Sequence, residues 1–135
     1  MDRFLARFSD LAYAVFRIVV GALWLQHGLG KIFGLLGGFD GKHPGETLPV
    51  GGQFWIGGVI EFACGTLVAI GLFSGWAAFL ACGTMAVAYF QVHQPQGTLP
   101  LQNGGELAVL YCFAFLLIAT KGNGKLSAGG ERKPS

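Results

Sequence analysis

Four stretches of the chain run almost unbroken through apolar residues, with polar positions gathered between them. They extend from about Leu11 to Leu36, Phe54 to Phe73, Gly75 to Val92 and Gly105 to Thr120. None shows the polar/apolar alternation of membrane-barrel strands. About 20 apolar residues cross the hydrocarbon core of a bilayer as a helix, and lipid offers the backbone no other way to satisfy its polar groups. The fourth stretch is a little short, which tilt or local thinning absorbs. The pattern predicts an all-α, integral membrane four-helix bundle forming a single domain over residues 1–135.

The breaks set the topology. Gly37-Gly38 and the segment FDGKHPGETLPVGG form a loop after the first span. Only Ser74-Gly75 divides the second and third spans, which predicts a tight antiparallel hairpin. Gln94-Pro95-Gln96-Gly97, Pro100 and Asn103-Gly104 make the third connection, and the tail Lys121–Ser135 is polar, glycine-rich, basic and expected to fray at its end. Arg3, Arg7, Lys121, Lys125, Arg132 and Lys133 flank the termini, whereas the opposite loops offer only Lys42. The positive-inside rule then places both termini in the cytoplasm and loops 37–53 and 93–104 outside.

Composition narrows the class. Hydrophobic residues make up 53% and charged residues 12%, against about 25% charged in an ordinary soluble domain. This excludes disorder, a collagen-like repeat and a soluble enzyme. The formal net charge of +2 is too small for a footprint on phosphates, so nucleic acid is not an expected partner and the lipid bilayer is. Asp10 and Arg17 interrupt the first apolar run, unlike a signal peptide, so that run is expected to remain. Cys64, Cys82 and Cys112 share no CxxC spacing and read as packing residues, not as a disulfide framework or zinc site. Gly21, Gly57, Gly58, Gly65 and Gly83, with the stripe Ala78, Cys82 and Ala86, suit close helix approach. Trp24, Trp55, Trp76, Tyr13, Tyr89 and Tyr111 include several that fit an interfacial belt.

Ionisable groups inside apolar spans need a reason, since one at the bilayer centre costs about 3 kcal/mol on insertion scales. At about 100° per residue, Arg17, Trp24, His27 and Lys31 fall on one face of the first helix. By depth His27, Lys31, Glu61, His93 and Glu106 collect in the outer half of the bundle. A polar pocket open to that side is expected, with Lys31–Glu61 as its internal ion pair. Each residue also has a structural reading. Glu61 can simply neutralise Lys31 and fix register; Glu106 can favour a helix N-terminus; His93 can be an interfacial histidine; Arg17 can snorkel to the cytoplasmic headgroups. No metal site is expected, because the Glu-x-x-His spacing of di-iron bundles is absent. A haem held between His27 and His93 has no supporting motif.

At these residues the sequence resembles the DoxX family of small four-span membrane proteins. Arg17-Ile-Val-Val-Gly21 followed by His27-Gly28-Leu29-Gly30-Lys31 is similar to that family's first-helix pattern. Glu61-Phe-Ala-Cys-Gly65 running to Gly71-Leu-Phe, His93 closing the third helix, and Gly104-Gly105-Glu106-Leu107 with Tyr111 continue it. The tail Gly122-Asn-Gly124-Lys-Leu-Ser127 is similar to its Gly-Pro-Gly-x-x-Ser ending, with Asn123 where proline is usual and no following aspartate. The resemblance implies a subunit of a quinone-linked oxidoreductase system in a bacterial cytoplasmic (inner) membrane. Such a subunit acts with a redox partner protein, as a single chain or a homo-oligomer. His27, Lys31, Glu61 and Glu106 are then the catalytic candidates, and Arg17, Trp24, His93 and Tyr111 the substrate contacts. His27 or Lys31 would hydrogen-bond a quinone oxygen and Glu61 or Glu106 would carry protons. The chain has no flavin, haem or iron–sulfur motif, so quinone is the one cofactor expected to meet it and a partner supplies the electrons. Two other readings stay open: a non-catalytic membrane anchor or assembly partner of a redox enzyme, and a small-molecule carrier.

Overall fold

The computed structural model describes residues 2–131; Arg132 and Lys133, which entered the charge reading of the termini, lie outside them. Helices α1 (Asp2–Ala6), α2 (Ser9–Phe33), α3 (Gln53–Ile70), α4 (Ser74–Ala88), α5 (Pro100–Asn103) and α6 (Glu106–Lys121) follow in chain order. A π-helical turn at Tyr89–His93 and a 3-10 turn at Gln94–Gln96 extend α4. No strand occurs among the described residues. The all-helical reading therefore holds, with shifted boundaries. The chain is a membrane protein with several apolar helices. By length and composition α2, α3 and α4 with its extension to Gln96 are each able to cross a membrane. The fourth predicted span, α6, has 16 residues, a rise of about 24 Å against a core of about 30 Å.

Glycine in the left-handed conformation ends the first two long helices. Gly34 (φ 67°) stops α2 three residues short of the apolar run, and its amide and that of Leu35 return to the Gly30 and Leu29 carbonyls. Gly71 (φ 75°) stops α3 in the same way. The hairpin between α3 and α4 is thus Gly71–Phe73, and Ser74 already belongs to α4. Both stops are backbone events at glycines buried within apolar sequence, which hydropathy alone reads through.

α2 packs against α3, α3 against α4, and α4 against α6. Trp24 closes the ring by meeting Phe115 of α6 edge-on, with 4.7 Å between ring centroids. Trp24 is therefore a core residue and not part of an interfacial belt. Val20, Cys64, Val68, Ala78, Ala81, Met85, Phe115 and Ile118 share this core, while most other large apolar side chains face outward, as lipid-facing helices require.

The α2–α3 contact is made backbone to backbone. A Cβ on Gly21 would lie 2.5 Å from the Ala69 nitrogen and 2.9 Å from the Gly65 carbonyl; one on Gly65 would lie 2.8 Å from the Leu25 nitrogen. Backbone atoms cannot swing aside as a side chain does, so the helices must part. Gly21→Ala and Gly65→Ala should each cost about 1–3 kcal/mol, in the range of overpacking. A Cβ on Gly57 meets nothing within 4 Å, so Gly57→Ala should be neutral or stabilising by up to about 1 kcal/mol. Thermal unfolding of the three detergent-solubilised variants separates these outcomes.

The tail is held against the bundle over its described length, and the end expected to fray lies outside the described residues. Ala128 and Gly129 donate to the Ile70 and Gly71 carbonyls, and Asn123 Oδ1 accepts from the Ser74 amide at 3.0 Å. Asn123 thus caps the start of α4 at the position where the resemblance led to an expectation of proline. Tyr13 donates to the Gly122 carbonyl, and Asp10 and Lys125 stand 3.4 Å apart. Both described ends of the chain consequently lie at the same end of the bundle.

Candidate functional site

At the opposite end, the C-terminal half of α2, the N-terminal half of α3, the C-terminal half of α4 with its π turn, and the start of α6 enclose a cavity of about 780 Å³. Most of its wall is apolar, including Phe54, Ile60, Phe79, Leu80 and Leu107. Several of these side chains are also largely exposed, so the cavity opens sideways towards the lipid-facing surface. The polar positions are few and come from all four long helices: Trp24, His27 and Lys31 from α2, Gln53 and Glu61 from α3, Thr84, Gln91 and His93 from α4 and its extension, and Tyr111 from α6.

Lys31 Nζ donates to Glu61 Oε1 at 2.6 Å, the ion pair expected from the stripe on α2. Glu61 is buried and Lys31 half-buried. Gly58 is what allows this approach, since a Cβ there would stand 2.9 Å from the Lys31 Cβ. Among the described residues the second Glu61 oxygen, Oε2, has no hydrogen-bond partner, and neither has the indole Nε1 of Trp24. A buried polar atom without a partner costs about 1–3 kcal/mol. Two of them, one acceptor and one donor, sit on residues that form this wall. His27 meets Tyr111 edge-on at 6.4 Å, and Tyr111 stacks on Phe115 at 5.9 Å; these rings hold the phenol against α2.

The rim is built around a π-helical turn, a local widening that often marks functional positions. Asn103 of α5 fastens it: its amide donates to the Tyr89 hydroxyl and the Gly97 carbonyl, and its Oδ1 accepts from the Gly105 amide. His93 Nδ1 pairs with the Asn103 carbonyl at 3.2 Å. Gln53 at the start of α3 donates to Gln91 on the π turn, a bond between two wall residues. Asn103, Gln53 and Gln91 carry no signal in the sequence beyond being polar at span ends. Further out, the Asp40 carboxylate accepts from the Lys42 and His43 amides and meets His43 Nδ1 at 2.7 Å. The backbone donor at Lys42 is the main force holding Asp40 below the usual carboxylate range, and the bond to Asp40 raises the His43 imidazole above its ordinary value.

Six of the eight candidate residues therefore meet at one cavity: Trp24, His27, Lys31, Glu61, His93 and Tyr111. Two do not. Arg17 is fully buried near the other end of the bundle, so it neither lines the cavity nor snorkels to headgroups. Its guanidinium donates to the Val68, Ala69, Lys125 and Leu126 carbonyls at 2.7–3.1 Å. Glu106 is exposed at the first position of α6 and is absent from the cavity wall; its place is the one where a carboxylate favours helix N-terminal amides. Among the described residues no group of three or more His, Cys, Asp or Glu side chains is placed to hold a metal ion.

The profile of the family described as DoxX matches residues 12–94, which include all but the first three residues of α2 and the whole of α3, α4 and the π turn. An uncharacterized protein of Haemophilus influenzae is 35% identical over 123 residues, covering 89% of this chain and 90% of that protein. No solved structure matches the chain.

Proposed function

Because the chain belongs to the DoxX family, we propose that it is the membrane subunit of a quinone-linked oxidoreductase system and binds a quinone head in the cavity between α2, α3, α4 and α6. The observation that carries this reading is the pair of orphaned polar atoms on residues of the cavity wall, the Glu61 Oε2 acceptor and the Trp24 Nε1 donor. The quinol form offers each of them a partner, because its hydroxyls both donate and accept, whereas a quinone carbonyl accepts from the Trp24 indole alone. The volume falls in the range of small-molecule sites, which are mostly apolar with a few placed polar groups. The sideways apolar opening suits a ligand that arrives through the bilayer with a hydrocarbon tail.

In this reading Lys31 and His27 supply hydrogen-bond donors to a quinone oxygen. Glu61, held by Lys31, holds or releases a proton beside it. Tyr111 and His93 bound the head. The bound quinone supplies two-electron chemistry; the chain supplies binding, orientation and a protonatable wall, and a redox partner protein supplies or takes the electrons. With both termini cytoplasmic, as the positive flanks favour, the cavity faces the outer half of a bacterial inner membrane.

The test is binding of a short-tailed benzoquinone analogue to the purified full chain in detergent micelles, read by quenching of tryptophan fluorescence. The double variant Lys31→Met/Glu61→Leu, which removes both charges together, should bind ten- to a hundredfold more weakly. That is about 1.5–3 kcal/mol, the worth of a hydrogen bond to a charged group. Glu106→Gln should leave the affinity unchanged. Equal affinity in the double variant and the wild type would sink the assignment.

A further inference from the structure

A second chemistry lies on the seam between α4 and α6, away from the cavity wall. The Cys82 and Cys112 sulfurs stand 3.6 Å apart, one from each helix, thirty residues distant in sequence. Both residues are partly exposed, whereas Cys64 is buried on α3. Ala78 and Ala81 lie in the adjoining core on α4, and side chains this small let α4 and α6 approach closely. Neither cysteine is among the residues lining the cavity.

We propose that Cys82 and Cys112 form a dithiol that a small uncharged peroxide oxidises to an intramolecular disulfide, stapling α6 to α4. A charged oxidant is excluded from an apolar layer, but hydrogen peroxide enters it. One sulfur attacks a peroxide oxygen; the O–O bond breaks, water leaves and a sulfenic acid forms. The second sulfur then attacks the first; the S–S bond forms, the S–O bond breaks and a second water leaves. Two thiols lose two electrons and two protons, and one peroxide becomes two waters. The second step needs a resolving thiol already in contact, which is what the 3.6 Å separation provides. Cys64 has no such neighbour: its sulfur makes no thiol contact among the described residues.

The experiment treats the purified full chain in detergent micelles with excess hydrogen peroxide, alkylates it with N-ethylmaleimide under denaturing conditions and weighs it intact. The expected product has lost two hydrogens and carries one maleimide instead of three. A cross-linked peptide should join the Cys82 and Cys112 segments, and dithiothreitol should restore three alkylatable thiols. Cys82→Ser and Cys112→Ser should each abolish the two-hydrogen loss and accumulate oxygenated sulfur on the remaining partner. Three maleimides after excess peroxide, oxygenation of wild-type Cys82 or Cys112 without cross-linking, or disulfide-linked dimers would each overturn the proposal.

Discussion

Replacing Lys31 by methionine should lower the stability of the detergent-solubilised protein by about 3–5 kcal/mol, the usual cost of stranding one member of a buried ion pair. Glu61 is buried, and the ammonium of Lys31 is its one hydrogen-bond partner among the described residues. Take the ammonium away and both carboxylate oxygens are orphaned within an apolar wall. The double variant Lys31→Met/Glu61→Leu should recover most of the loss, since apolar groups of similar volume commonly replace such pairs without penalty. Glu61→Gln should fall between the two, because its amide oxygen still accepts from Lys31. Thermal unfolding followed by circular dichroism gives the order: double variant close to wild type, then Glu61→Gln, then Lys31→Met. A Lys31→Met protein as stable as wild type would mean that water already solvates Glu61, and the apolar wall would have to be redrawn. The same series separates stability from ligand binding, because the double variant should be stable and yet bind the quinone analogue more weakly.

The part of this site that could be read from sequence is the part carried by side-chain identity at helical spacing. Trp24, His27 and Lys31 recur at intervals that align them on α2, and Glu61 is a solitary carboxylate in an apolar helix. Each is costly in lipid unless it has a partner, and this cost is what makes such residues visible. Glu106 was misplaced for the opposite reason. At a helix start a carboxylate is not costly, so its presence near the apolar run said nothing about a cavity. The rim residues Gln53 and Gln91, and Asn103, which fastens the π turn, are silent in the same way: uncharged amides at span ends are ordinary, and only the packed helices place them at or beside the opening. Helix boundaries followed hydropathy except where Gly34 and Gly71 turned left-handed inside apolar sequence. The Cys82–Cys112 contact depends on the register of α4 against α6, which two small-residue surfaces do not fix by pattern.

Arg17 makes the clearest case of a buried charge whose partners are invisible in sequence, and its removal should have the second large effect. Its acceptors are all backbone carbonyls: two at the C-terminal end of α3 and two in the tail. Among the described residues no acidic side chain pairs with it, so the charge is held by carbonyl dipoles, including those at the negative end of α3. Gly71 is the opening through which this happens, since a Cβ there would collide with Ser127 and stand 2.8 Å from Arg17 Nη1. Hydrogen bonds to a charged group are each worth about 1.5–3 kcal/mol, not additively, so Arg17→Met should cost about 3–5 kcal/mol. The loss should be localised. With its two carbonyl anchors gone, the segment 124–131 should come away from α3, and trypsin should cut after Lys125 under conditions that leave the wild type whole. Arg17→Lys should protect the tail only in part, because a single ammonium cannot spread its donors over four carbonyls as a planar guanidinium does. Quinone-analogue binding, at the far end of the bundle, should change little in either variant. If Arg17→Met weakened that binding as strongly as Lys31→Met/Glu61→Leu does, the two ends of the bundle would be coupled and Arg17 would belong with the site after all.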